Sequence, residues 1–379
     1  NFPFIDKVLP AGFLEILGNV LSPLSGTTLS LVAMFLAFLM GYNYAKTEEQ
    51  KCEEVYAGIT TLVAFLIVSP LSITVGEEVI GGVIPTTYMG SQGMFVALIL
   101  CYLVAKVYCK ILSSKLKIRL PDSVPPMVSS SFESLIPVII TLVLVCSINY
   151  CFTLTSFGNI HALVNEIIQK PLLLIGTGLP ALLISQGLAQ LLWFFGLHGD
   201  QIVGSVMDPI LQTAGMENLS AYTAGDAVPY IITDQFRALF VMIAFMSLVI
   251  AILIVSKSNR LKGVGKVAVL PATFCISEPV VFGAPVVMNA MLFIPWVLSR
   301  PVFGLITWLF MKFGLCPYPT GVAIPWTTPP VLSGFLATNS IMGAVVQIIC
   351  LAIGVLMFIP FVKMIDKTYH QEEIKTKEQ

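Results

Sequence analysis

The sequence predicts an all-α polytopic membrane protein, with about 9–10 transmembrane helices and two re-entrant hairpins. Three observations carry this. The 379 residues are 56% hydrophobic and only 11% charged, against about 25% charged in soluble domains. Mean hydropathy is +0.90. Apolar runs of crossing length recur along the chain, and two of them are broken by Pro and Gly.

A window of about 20 apolar residues is the unit of membrane crossing. Clear spans lie at 26–45, 55–75, 93–112, 135–154, 172–195, 239–255, 291–313 and 341–362. Residues 267–290 and 316–333 are apolar but interrupted, so they are expected to enter as re-entrant or unwound segments lining a cavity. Lys and Arg cluster at 46–51, 106–119, 257–266 and 363–377, and none falls between 51 and 106 or between 170 and 237. These clusters are expected to be cytoplasmic, with the loop at 76–92 external and the C-terminus cytoplasmic. The tail 370–379 is polar and expected to be disordered.

Two halves follow. Residues 1–165 form an N-terminal membrane scaffold, 166–365 a transport half with the broken segments, and 366–379 a tail. No internal repeat is visible. Net charge is −1, which gives no reason to expect nucleic acid. The eight cysteines (52, 101, 109, 146, 151, 275, 316, 350) are scattered without a CxxC pair and read as small buried hydrophobes. With three histidines and no HExxH, no metal is expected; no P-loop or GxSxG is present, and no cofactor is implied. The chain starts at Asn1, not Met, and residues are expected to precede it.

The most informative stretch is 276–283, ISEPVVFG. Glu278 stands in an apolar region with no Lys or Arg within ten residues. A carboxylate at membrane depth is costly unless it faces a polar cavity, and Pro279, Gly283 and Pro285 oppose a regular helix. Its bland reading is a buried, paired or protonated acid. Its functional reading is an acceptor for a sugar hydroxyl. His198, in WFFGLHGD, is bracketed by Gly196 and Gly199, where a backbone break beside an imidazole suits hydroxyl recognition; a lone His there is otherwise structural. Trp326 lies between prolines in IPWTTPP, unlike an interfacial belt residue, and its indole face suits a sugar ring. Trp193 can do the same. Asn289 and Gln92 are weaker candidates. Asp234 and Arg237 read as a pair one turn apart on a helix, and Asp200 and Asp208 as solvated loop residues.

These residues resemble the enzyme IIC membrane component of the sugar phosphotransferase system, in its lactose/cellobiose/N,N′-diacetylchitobiose family. Residues 274–289 resemble the signature around an I-[NS]-E-P-x-x-F-G core, 325–330 the PWTTP segment, 123–137 (SVPPMVSSSFESLIP) the SVPP loop, and 193–200 the G-x-H-G segment. The resemblance covers essentially the whole chain. Ser277 replaces a frequent Asn, and 242–247 (MIAFMS) stands where many relatives are Gly-rich; both bear on which sugar is carried.

The resemblance implies a homodimeric, multi-pass permease in a bacterial cell membrane among lipid. It would move a β-linked disaccharide such as diacetylchitobiose or cellobiose for phosphorylation at the 6-hydroxyl. Enzyme IIB would donate the phosphate, with IIA and the general phosphocarrier protein upstream. Glu278 and His198 would meet that hydroxyl as catalytic residues. Trp193, Trp326, Asn289, Gln92 and Gly199 would contact the sugar. Whether such a subunit counts as an enzyme in its own right is left open by its dependence on IIB. Two rivals fit the physics: an ion-coupled disaccharide carrier with Glu278 as proton site, and an intramembrane enzyme acting on a lipid or sugar-lipid.

Overall fold

A computed structural model describes residues 27–378 apart from 48–52, 76–77, 122 and 285, together with positions 16, 19, 20 and 23. Lys51, Cys52, Gly76 and Pro285, named above, lie outside the described residues. The chain divides into two compact units with the boundary between Leu172 and Leu173.

The first unit holds α1 (Val32–Thr47), α2 (Glu54–Val68), α3 (Met94–Leu112), α4 (Pro126–Thr153) and most of α5 (Ile160–Gly176). Small residues at a four-residue spacing, Ala33, Ala37, Gly41 and Ala45, make one buried face of α1. A Cβ on Gly41 would sit 2.2 Å from the Thr61 hydroxyl. Thr61 also donates across to the Ala37 carbonyl at 2.8 Å. Small residues thus bring α1 and α2 into backbone contact, the usual means of helix association in lipid. His161 is buried, stacked on Tyr88 with centroids 4.5 Å apart, and hydrogen bonded through Nε2 to Ser69. Its role is packing.

The second unit contains α6 (Leu179–Phe194), α7 (Gly199–Ala224), α8 (Phe245–Val255), α9 (Asn259–Thr273), α10 (Glu278–Gly283), α11 (Ala290–Lys312), α12 (Leu332–Thr338) and α13 (Ile341–Glu378). A π-helical turn, Phe236–Val241, and a 3₁₀ turn, Met242–Ala244, lead into α8. Two apolar cores hold this unit. One packs α8, α9, α10 and α13 around Trp296, Phe358 and Val281. The other surrounds Phe236, Phe240 and Phe303.

The chain is a helical membrane protein. Among the described residues five helices are long and apolar enough to cross a membrane, or six if α5 and α6 form one broken span. The first two apolar runs fold as shorter helices, α1 and α2. Between α2 and α3 the all-α expectation gives way to an exposed antiparallel hairpin, Ser72–Val75 with Glu78–Gly81.

The interrupted segments differ from each other. Residues 259–273 are helical, with Pro271 tolerated in the last turn. The break comes at Cys275, whose φ is 62°, followed by the six-residue α10 beginning at Glu278. Residues 315–331 contain no helix, and their return limb is α12. Both limbs are tied by the Thr320 amide, which donates to the Ala337 carbonyl at 2.8 Å.

The tail is not disordered. α13 continues to Glu378 because its carboxylates cap another helix. Asp366 accepts from the amide and hydroxyl of Ser258 at 2.9 and 2.6 Å. Glu373 accepts from the amides of Asn259 and Arg260 at 3.0 Å each. The Arg260 guanidinium lies 4.1 Å from the Tyr369 ring centroid. Together these satisfy the free donors at the start of α9, which composition alone could not anticipate.

Candidate functional site

A cavity of about 840 Å³ lies in the second unit, inside the usual range for ligand clefts. Its lining brings together Trp193, His198, Glu278 and Trp326 with Asp200, Asp208, Gln235 and Arg237.

The His198 corner is built by three helices. α6 carries Gln190 and Trp193, α7 carries Asp200, and α11 carries Trp296 and Arg300. The Trp296 indole donates to the Gln190 carbonyl at 3.1 Å, and the Gln190 amide donates back to the Trp296 carbonyl at 3.0 Å. These bonds lock α6 to α11. Arg300, only 2% exposed, makes a two-pronged ion pair with Asp200, one arm at 3.0 Å. The Trp193 Nε1–H donates to the same carboxylate at 2.9 Å. A buried guanidinium is tolerated because the carboxylate meets it bidentately.

His198 is the N-cap of α7, its Nδ1 accepting from the Gln201 amide at 3.3 Å. With Nδ1 as acceptor, the ring N–H lies on Nε2, which can donate. The ring lies 4.5 Å from Trp193, tilted by 47°.

Glu278 opens α10 and is exposed to the cavity. No ion pair among the described residues includes it. Trp326 is 58% exposed, on backbone that is neither helix nor strand. Asn218, from α7, steadies that backbone by donating to the Pro319 and Tyr230 carbonyls at 2.8 Å each.

Three sequence candidates do not line the cavity. Asn289 caps α11, its side chain accepting from the Met291 amide at 3.1 Å. Gly199 is buried at the start of α7, where a Cβ would lie 2.0 Å from the Ala189 carbonyl. It serves close packing, and thereby the placement of His198. Gln92 is exposed in a 3₁₀ turn of the first unit.

Two readings of charge are corrected. Asp200 is no solvated loop residue: it closes the buried pair with Arg300. Arg237 pairs with Asp208 of α7, not with Asp234. The Arg237 amide closes an ordinary helical turn onto the Thr233 carbonyl at 3.1 Å, and its guanidinium reaches across to α7. These partnerships span 29 and 100 residues and leave no local signature. Among the described residues no cluster of three His, Cys, Asp or Glu side chains is arranged to hold a metal.

Comparison with known proteins gives a consistent picture. Residues 3–299 match the family model described as "Phosphotransferase system, EIIC". The chain is 40% identical to the oligo-beta-mannoside-specific EIIC component of Bacillus subtilis (strain 168), over 97% of this chain and 84% of that one. It is 37% identical to the lichenan permease IIC component of the same organism, over 91% and 78%. Its fold is similar to the crystal structure of the transporter ChbC, the IIC component from the N,N′-diacetylchitobiose-specific phosphotransferase system. That match has a TM-score of 0.88 at 33% identity and covers 97% of this chain and 90% of that one. With a family model spanning most of its length and relatives of 37–40% identity that match more than nine-tenths of it, the chain belongs to the EIIC component family of the phosphotransferase system.

Proposed function

We propose that this EIIC protein carries a β-linked disaccharide and presents its 6-hydroxyl to enzyme IIB. The observation that carries the reading is the single cavity gathering Trp193, His198, Glu278 and Trp326 from separate broken segments. Trp326 offers an indole face to a sugar ring. Glu278 accepts from the 6-hydroxyl, and His198 donates through Nε2. In the transfer step the phosphoryl group leaves the IIB cysteine sulfur for the sugar oxygen, and the hydroxyl proton passes to Glu278. The charged sugar phosphate is then retained inside the cell.

The remaining assignments follow the same reading. The basic residues around the start of α9 and the end of α13, Lys257, Arg260, Lys262, Lys363 and Lys367, face the cytoplasm, where IIB docks. The C-terminus lies on that side. Residues 1–165 supply the scaffold of a homodimer and 166–365 the moving transport half. The broad apolar exposure of α4, including Phe132, Leu135, Ile139 and Val143, suits a partner subunit or lipid. EIIC membership favours the phosphorylating route over an ion-coupled carrier or a self-sufficient intramembrane enzyme.

The test is a calorimetric screen of β-linked disaccharides on the purified protein, followed by phosphorylation with reconstituted IIB. Binding of a β-linked disaccharide with IIB-dependent phosphorylation is expected. Uptake driven by a proton or sodium gradient without IIB would overturn the proposal.

A further inference from the structure

Among the described residues lining the cavity, two buried side-chain atoms have no hydrogen-bond partner, Arg237 Nε and Gln235 Oε1, and only the second is an acceptor. Gln235 is 6% exposed and lines the cavity. Its Nε2 donates to the Val322 carbonyl, while its Oε1 is buried without a hydrogen-bond partner. The amide cannot be reversed to remedy this, since Oε1 would then face the carbonyl oxygen of Val322, acceptor against acceptor.

The backbone around Gln235 is fixed. Ile232, Thr233 and Phe236 are fully buried, and the Thr233 hydroxyl accepts from the Phe236 amide at 3.2 Å. The π-helical turn begins at the next residue, and such turns are frequent at functional sites. The Leu239 carbonyl in this turn accepts from the Gln347 side-chain amide at 2.7 Å. The wide turn is therefore held from behind, while Gln235 faces the cavity. A buried acceptor with no protein donor calls for a donor from outside the protein, a water or a ligand hydroxyl, and a cavity-lining position admits the second.

We infer that Gln235 is a specificity-determining residue of the sugar site, its Oε1 accepting a hydrogen bond from one hydroxyl of the bound disaccharide. The inference rests on the disaccharide reading above. A site built around a substrate hydroxyl rejects the analogue that lacks it, because the buried acceptor is then left unfilled. Gln235 also joins the turn at 236–241 to the segment carrying Trp326 through Val322, so the hydroxyl it reads is held in fixed register with the stacking face.

The experiment uses the full chain, purified, with cellobiose and its monodeoxy derivatives as probes in calorimetry. One derivative is expected to bind wild type on the order of tenfold more weakly than cellobiose. Gln235→Met is expected to bind cellobiose weaker by a similar factor, yet to bind that one derivative as well as cellobiose. Unchanged affinity in Gln235→Met, or equal weakening for every derivative, overturns the inference. Should that variant not fold, the ¹³Cδ resonance of labelled Gln235 in wild type decides: it moves on saturation with cellobiose, and an unmoved resonance overturns the inference. Failure of wild type to bind any β-linked disaccharide overturns the disaccharide reading itself. Binding that is indifferent to Gln235 overturns only the role of this residue.

Discussion

Trp193 and Trp326 line the same cavity, yet one is 4% exposed and the other 58%. Trp193 spends its indole N–H on Asp200 and sits among three helices locked by Gln190, Trp296 and Arg300. Trp326 stands on irregular backbone with its ring open. The first is packed beside His198 as part of the framework; the second presents an open indole to the cavity. The same residue type thus occupies two different settings within one cavity lining, and burial, not identity, separates them.

Four substitutions can break or sharpen that contrast. The largest effect is expected from Asp200→Asn, which strands the Arg300 charge in a buried setting. A loss of about 3–5 kcal/mol is expected, read as a lowered unfolding midpoint together with weakened sugar binding. An unfolding curve matching wild type would mean that the corner does not depend on the pair. Glu278→Gln is next. It removes the proton acceptor and should slow IIB-dependent phosphorylation by about 100-fold or more while leaving the unfolding midpoint in place.

Gly199→Ala should cost about 2 kcal/mol, because the new methyl meets the backbone of Ala189 and not a yielding side chain. Thermal unfolding with and without disaccharide would check it. The smallest change is expected for Trp326→Ala, about tenfold in Kd, with stability untouched because the ring packs against little. Should Trp326→Ala unfold the protein, or Asp200→Asn spare it, the division between architecture and open surface fails.

Much of this was legible in the chain, for a physical reason. A carboxylate or an indole inside a Pro- and Gly-broken apolar run has few roles open to it, so Glu278 and Trp326 stand out without a structure. The family motifs add His198. What could not be read were partnerships made in three dimensions. Asp200 meets Arg300 across 100 residues and Arg237 meets Asp208 across 29. Gln235 looked ordinary because nothing in TDQFR reveals that one amide oxygen will be buried unfilled. Asn289 and Gly199 lie outside the cavity lining, one capping α11 and the other packed on Ala189, roles that a polar residue and a glycine do not announce in sequence.

The long helix α13 has a mechanical consequence. Near its beginning, Gln347 accepts from the Gly334 amide and donates to the Ser333 hydroxyl, holding the return limb of the segment that bears Trp326. Some 19 residues later, about 29 Å along the axis, Asp366 grips the start of α9, whose far end leads to Glu278. One rod is therefore pinned to both re-entrant segments, at opposite ends. On the proposed reading, a shift of α13 would carry the Trp326 segment and the α9–α10 segment together, and with them the ring and the carboxylate assigned to the sugar.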